Sequence, residues 1–207
     1  MSKVTIDNII FDLGGVLVDW NPEYMYTKIF GQDEQTMKWF LQHVCTNEWN
    51  MEQDAGRTFK EGTELLLQQY PQYETWIRAF FDRWEEMIKG EIYDTVLILK
   101  KLNSLNEKKL YALTNWSAET FPIAEQRFSF LKIFEGIVVS GEENTRKPFP
   151  EIYHIVLNRY KLEAEKCLFI DDNPDNIETA SRLGMTSIHF KDPQQLKNEL
   201  VQMGILK

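Results

Sequence analysis

Apolar residues change their spacing twice along the chain, and the changes divide it. Ile6, Ile9, Ile10 and Phe11 supply β-branched and aromatic content, so residues 4–12 read as a strand that stops at Asp12. Leu13-Gly14-Gly15 follow, and an apolar run resumes with Val16-Leu17-Val18. From Asn21 the period turns helical. Asn21-Pro22-Glu23 offers an N-cap, a proline at the first helical position and an acid in the first turn. Tyr26, Ile29 and Phe30 share one face. Met37, Phe40, Leu41 and Val44 share another, as do Phe59, Leu65, Leu66 and Tyr70, and Trp76, Phe80, Trp84 and Ile88 repeat every four residues. No strand is expected from Asn21 to about Gly90. Trp39, Trp49, Trp76 and Trp84 lie in this block and predict a helical core packed on itself.

After Gly90 strands and helices alternate. Helices are expected over 93–105, 117–127, 149–160, 174–183 and 193–203. Strands are expected over Leu110–Thr114, Gly136–Val139, Cys167–Asp171 and Met185–Phe190, with Gly184 as a left-handed cap. Such alternation implies an α/β fold with a parallel sheet and right-handed crossovers. The helical block interrupts it directly after the first acid-bearing strand, where it can lie as a lid over a site.

Composition narrows the function. The 207 residues are 43% hydrophobic and 27% charged, which excludes a disordered chain. A net charge of −9 argues against a nucleic-acid or anionic-membrane surface, since both reward clustered Lys and Arg. Cys45 and Cys167 form no metal or redox spacing and are expected to be reduced and buried, as in a cytoplasmic protein. The first residues lack a signal peptide's pattern, and no apolar run approaches the ~20 residues needed to span a bilayer.

Polar residues close four elements that a parallel sheet would bring to one edge: Asp12, Thr114-Asn115, Arg146-Lys147-Pro148 and Asp171-Asp172, with Asn173-Pro174 opening the next helix. Singly, each fits a turn former, a helix cap or a solvated surface residue. Jointly, and in this order, they are far more specific. Three carboxylates about 4 Å apart repel by about 4 kcal/mol per pair at an effective dielectric near 20, so a proton or a metal must intervene. Oxygen donors without His or Cys favour Mg²⁺ over zinc. A carboxylate nucleophile beside Mg²⁺, with a hydroxyl and a lysine ready for phosphoryl oxygens, suits phosphoryl transfer.

Phe11-Asp12-Leu13-Gly14-Gly15-Val16-Leu17, Leu113-Thr114-Asn115, Lys147-Pro148 and Ile170-Asp171-Asp172 resemble the four motifs of the haloacid dehalogenase superfamily. Within it the chain is similar to the branch of α-glucose-1-phosphatases and the phosphatase domain of soluble epoxide hydrolases. The resemblance implies a Rossmann-like, doubly wound parallel sheet core, residues 1–18 and 91–207, with an inserted all-helical cap, residues 19–90. It implies Asp12 as the nucleophile that becomes an aspartyl-phosphate. Mg²⁺ would be held by the side chains of Asp12 and Asp172 and the carbonyl of Gly14, with Asp171 a further metal-side acid, direct or through water. Thr114, the Asn115 amide, Lys147 and Gly15 would bind the phosphoryl group or substrate. The substrate would be a small phosphorylated metabolite, a sugar phosphate and especially an anomeric one.

Gly14 departs from the usual pattern, which keeps an acid two residues after the nucleophile to protonate the leaving oxygen. Positioned acid–base catalysis is typically worth about 10²–10⁴-fold. Three expectations follow: another group supplies the proton, from among His43, Glu48, Glu52, Asp54 and Arg57; the leaving group needs little help; or the protein only binds phosphorylated ligands. A metal-independent 2-haloacid dehalogenase is the enzymatic rival, and Asp171-Asp172 argues against it as an unneutralised acid pair. A phosphomutase is disfavoured by Gly14. Trp20, Trp49 and Trp116 either pack or stack on a sugar ring.

Overall fold

A computed structural model describes residues 5–206. Five parallel strands make the central sheet. β1 (Asn8–Phe11) is fully buried and leads, through the loop 12–17, into β2 (Val18–Trp20). Five helices follow: α1 (Glu23–Phe30), α2 (Glu34–His43), α3 (Asn47–Asp54), α4 (Phe59–Gln69) and α5 (Glu74–Asp82). β3 (Ile88–Glu91) then pairs antiparallel with β2, so both crossings between the helical block and the sheet run through one two-stranded ribbon. The block is therefore not all-helical. This ribbon has three- and four-residue strands, and Lys89-Gly90-Glu91 carries no apolar alternation that would mark it.

The remaining elements alternate as the spacing predicts: α6 (Tyr93–Leu105), β4 (Lys109–Thr114), α7 (Phe121–Arg127), β5 (Gly136–Val139), α8 (Ser140–Glu143), α9 (Pro150–Tyr160), β6 (Cys167–Asp171), α10 (Pro174–Arg182), β7 (Thr186–His189) and α11 (Pro193–Gln202). The strand order is β5-β4-β1-β6-β7. Residue 4 of the expected first strand lies outside the described residues, and the strand itself spans Asn8–Phe11. α7 begins four residues later than expected, because Asn115–Thr120 forms a polar loop in which Ser117 Oγ accepts from the Glu119 N–H at 3.2 Å. Asn21 caps as anticipated, its Oδ1 accepting from the Glu23 N–H at 2.8 Å.

Two apolar clusters hold these layers. One, containing Ile10, Leu113, Ile152, Val156 and Phe169, lies on one sheet face. The other joins Ile9, Phe11 and Ile170 from the sheet to Met25, Phe40 and Phe80 from the helical block. Two of its aromatic residues satisfy their polar tips: Tyr26 donates to the Trp76 carbonyl at 2.8 Å, and Trp49 Nε1 to the Gly62 carbonyl at 3.0 Å. Among the described residues no helix is long and apolar enough to cross a membrane. Cys45 and Cys167 are free and buried.

Candidate active site

The strand order decides which side chains meet. Since β4 and β6 flank β1, the residues closing these three strands must converge at the carboxyl edge, where the chain turns from one side of the sheet to the other. Phe11 pairs with Ala112 and with Ile170, and the Asp12 N–H donates to the Ile170 carbonyl at 2.8 Å. Asp12 and Asp171 therefore stand side by side, with Thr114 one residue further along β4.

Lys147, from the loop before α9, reaches beneath them. Its side chain is fully buried, with Nζ 2.9 Å from Asp12 Oδ1, 2.6 Å from Asp171 Oδ2 and 3.0 Å from the Leu113 carbonyl. Asn115 fixes its backbone: the amide Nδ2 donates to the Lys147 carbonyl at 3.0 Å and Oδ1 accepts from the Lys147 N–H at 2.8 Å. The side-chain amide of Asn115 is thus committed to holding Lys147. Burial alone would lower the Lys147 ammonium, but Asp12 and Asp171 outweigh it and hold the group above its ordinary range.

Asp12 is 7% exposed and accepts from the Leu13 N–H at 2.7 Å. That bond and the Lys147 contact both fall on Oδ1. Among the described residues nothing bonds Oδ2. Burial raises the Asp12 carboxyl well above its ordinary value, and the Asp171 and Asp172 charges add to this against Lys147. Asp172 is raised too, by burial and by Asp171. Oxygen atoms of Asp12, Asp171 and Asp172 lie within 4.8 Å of one another, an all-oxygen set able to hold a hard divalent cation. One ammonium against three acids leaves room for such a charge.

Asp171 differs from the other two. Its Oδ1 accepts from the Asn173 N–H at 2.8 Å and Asn176 Nδ2 at 2.9 Å, while its Oδ2 takes Lys147 and Asn176 at 3.1 Å. Asp172 approaches the loop where Gly15 sits at φ +72°, and a Cβ there would overlap its carboxylate. Gly15 is thus required twice, by conformation and by contact. Gly14 is not: a Cβ there meets nothing within 4 Å.

A cavity of about 310 Å³ opens over this cluster. Asp12, Gly14, Gly15, Asn115, Lys147 and Asp172 line it from the sheet, and Trp20, Asn47, Asn50, Met51, Asp54 and Trp84 from the ribbon and helical block. Thr114 does not line it. Its hydroxyl is wholly buried and, among the described residues, without a hydrogen-bond partner, a costly state. Trp116 lines the wall with its indole satisfied by Thr120 Oγ1 at 3.1 Å, whereas Trp20 lines it with Nε1 buried and unpartnered. Trp49 packs against Phe80 with ring centroids 5.0 Å apart, away from the cavity.

Asn176, which orients Asp171, escaped the sequence reading. Its signal was positional: it falls on the first turn of the helix opened by Asn173-Pro174, facing back to the strand that ends at Asp171. Arg146 also has a larger part than expected. Its side chain is only 14% exposed, with Nη2 at 3.9 Å from Glu52 of α3, so it links the sheet loop to the helical block.

The chain is similar to known proteins. A sesquiterpene phosphatase of Aspergillus oryzae is 27% identical over 199 residues, 96% of this chain and 97% of its own. The structure of a predicted haloacid dehalogenase-like hydrolase from Porphyromonas gingivalis superposes with a TM-score of 0.72 at 19% identity, over 96% of this chain and 98% of its own. A haloacid dehalogenase family enzyme of Bacteroides thetaiotaomicron, solved with magnesium and inorganic phosphate, gives 0.66 at 22% identity, over 90% and 95%. The family of haloacid dehalogenase-like hydrolases matches residues 6–184, which takes in the whole acid cluster and its lysine, and the chain belongs to that family of hydrolases.

Proposed function

We propose that the protein is a Mg²⁺-dependent phosphatase that hydrolyses small phosphorylated metabolites through an aspartyl-phosphate on Asp12. One observation carries this: a buried lysine joins two strand-end carboxylates while a third acid stands beside them in the same cavity. Asp12 and Asp172 would hold the metal with the Gly14 carbonyl, and Asp171, whose oxygens are already bonded, would support it by fixing Lys147. The metal, when bound, supplies charge neutralisation at the phosphoryl oxygens.

The residues of the chain do the rest. Lys147 opposes the burial that raises the Asp12 carboxyl and offers positive charge to the incoming phosphoryl group. Asn115 offers its backbone N–H to a phosphoryl oxygen, and Thr114 its hydroxyl once that group turns to the cavity from the position where it is now buried. Asp12 Oδ2 attacks phosphorus in line with the departing oxygen. The division into a core, residues 1–18 and 91–207, and a cap, residues 19–90, belongs to this proposal, with the ribbon as its hinge. The cytoplasm is the proposed compartment.

For the leaving group, a sugar fits the polar wall of Asn47, Asn50 and Asn173 and the free indole N–H of Trp20. A second reading, an apolar alcohol such as a terpenol, is favoured by Trp20, Met51, Trp84 and Trp116 in the same cavity and by the Aspergillus relative. A panel of phosphate esters with Mg²⁺, spanning sugar 1-phosphates and a terpenyl monophosphate, decides between them. Failure of the wild type to turn over any ester, or full activity in Asp12→Asn, rejects the phosphatase. Chloride release from 2-chloropropionate with chelator present would instead make it a dehalogenase.

A further inference from the structure

A phosphatase that lacks an acid at position 14 brings a proton from another wall unless its leaving group departs unaided. Gly14 itself lines the cavity, and the space a side chain would take there is open. Of the five groups the sequence offers, four are elsewhere. His43 is exposed, its Nδ1 2.9 Å from the Trp39 carbonyl, and Glu48 is exposed. Glu52 is exposed beside Arg146. Arg57 donates to Gln53 Oε1 at 2.6 Å and to the Trp49 carbonyl at 2.9 Å. Asp54 alone among them lines the cavity that Asp12 lines. It closes α3, which packs on α8 at the end of β5, and Asn50 Nδ2 holds its Oδ2 at 3.3 Å. Asp175, the remaining acid in the wall outside the Asp12–Asp172 cluster, is exposed to bulk water.

We propose that Asp54 is the proton donor to the leaving oxygen and, in the second half of the reaction, the base that deprotonates the attacking water. The proposal rests on the phosphatase reading above. In the first half Asp12 Oδ2 forms a bond to phosphorus, the bond from phosphorus to the ester oxygen breaks, and that oxygen takes the Asp54 proton and leaves as the alcohol. In the second half water loses a proton to Asp54 and attacks phosphorus. The acyl-phosphate bond breaks, inorganic phosphate leaves, Asp12 is again a carboxylate and Asp54 again an acid. The electrostatics suit both halves. Burial raises the Asp54 carboxyl, Arg146, the Ser117 backbone N–H and Lys147 oppose it, and the balance stands at about 7. Both protonation states are then populated near neutrality, as a group that gives and later takes a proton requires. Glu52 reaches the same neighbourhood through Arg146, and Asp12 and Asp172 face it across the cavity.

The test compares two esters with Mg²⁺: the phosphate of a primary alcohol, whose alkoxide must be protonated, and para-nitrophenyl phosphate, whose phenolate need not be. Asp54→Asn is expected to lower kcat/KM for the alkyl ester about 10²–10⁴-fold while the initial release of nitrophenolate stays within several-fold of wild type. In the wild type, kcat/KM for the alkyl ester should fall as pH rises through about 7, because the acid form is lost, and this limb should vanish in Asp54→Asn. Adding Gly14→Asp to Asp54→Asn places an acid in the open space and should restore alkyl-ester turnover at least tenfold. The proposal is overturned if Asp54→Asn treats both esters alike and keeps the limb while Asp12→Asn is inactive. It is also overturned if the double variant, melting as wild type does, restores nothing. A wild type that forms no acyl-phosphate removes the phosphatase reading itself, a distinct result.

Discussion

Replacing Lys147 with Met keeps the volume of the side chain and deletes the only cation, among the described residues, within bonding distance of two buried acids. At 2.6 Å from Asp171 and 2.9 Å from Asp12, each attraction is about 6 kcal/mol at an effective dielectric near 20. Desolvation offsets much of that, and removing one partner of a buried pair typically costs about 3–5 kcal/mol. That is a large part of the roughly 5–15 kcal/mol that holds a domain of this kind together. Asp171→Asn should cost less, about 1–3 kcal/mol, because Lys147 keeps Asp12 and the Leu113 carbonyl. If the two residues are one unit, the double variant must be less damaging than the sum of the singles by about 1–3 kcal/mol. Urea unfolding of all four proteins at neutral pH without divalent metal measures this. A cost for Lys147→Met under about 1 kcal/mol, or additivity within about 0.5 kcal/mol, would refute the coupling.

Two further outcomes follow from the same cluster. Gly15→Ala puts a methyl group into the Asp172 carboxylate and forces a left-handed backbone costing about 1–2 kcal/mol. It should weaken Mg²⁺ binding about 10–100-fold, as isothermal titration would read, and wild-type affinity would refute it. Mg²⁺ at about 100 times its dissociation constant should stabilise the wild type by about 2.7 kcal/mol. Asp172→Asn should lose that shift, as thermal melting with and without chelator would show, and an equal shift in both proteins would place the metal elsewhere.

The core strands and their order of use were legible because each combines an apolar run with a polar stop. Asp12, Thr114 and Asp171 each stand at such a stop, and a parallel sheet leaves them no choice but to share an edge. What the chain did not announce depends on long-range packing. The β2–β3 ribbon is too short to show a period of two. Asn176 bonds Asp171 through a helix turn that only the strand's end defines. Asp54 was one of five polar residues in a segment whose inward side no periodicity marks; its difference from Glu52, two residues earlier, is one of facing, which is decided when α3 packs beside the sheet loops.

The central claim is covalent chemistry at Asp12, and it can be read directly. The protein is mixed with a phosphate ester and Mg²⁺, quenched in acid during turnover, and its peptides are examined by mass spectrometry. A hydroxylamine-sensitive phosphoryl group on Asp12, absent from Asp12→Asn and absent when chelator precedes the ester, is the expected result. Turnover that proceeds with Asp12 unmodified, or that chelator leaves unchanged, would contradict it.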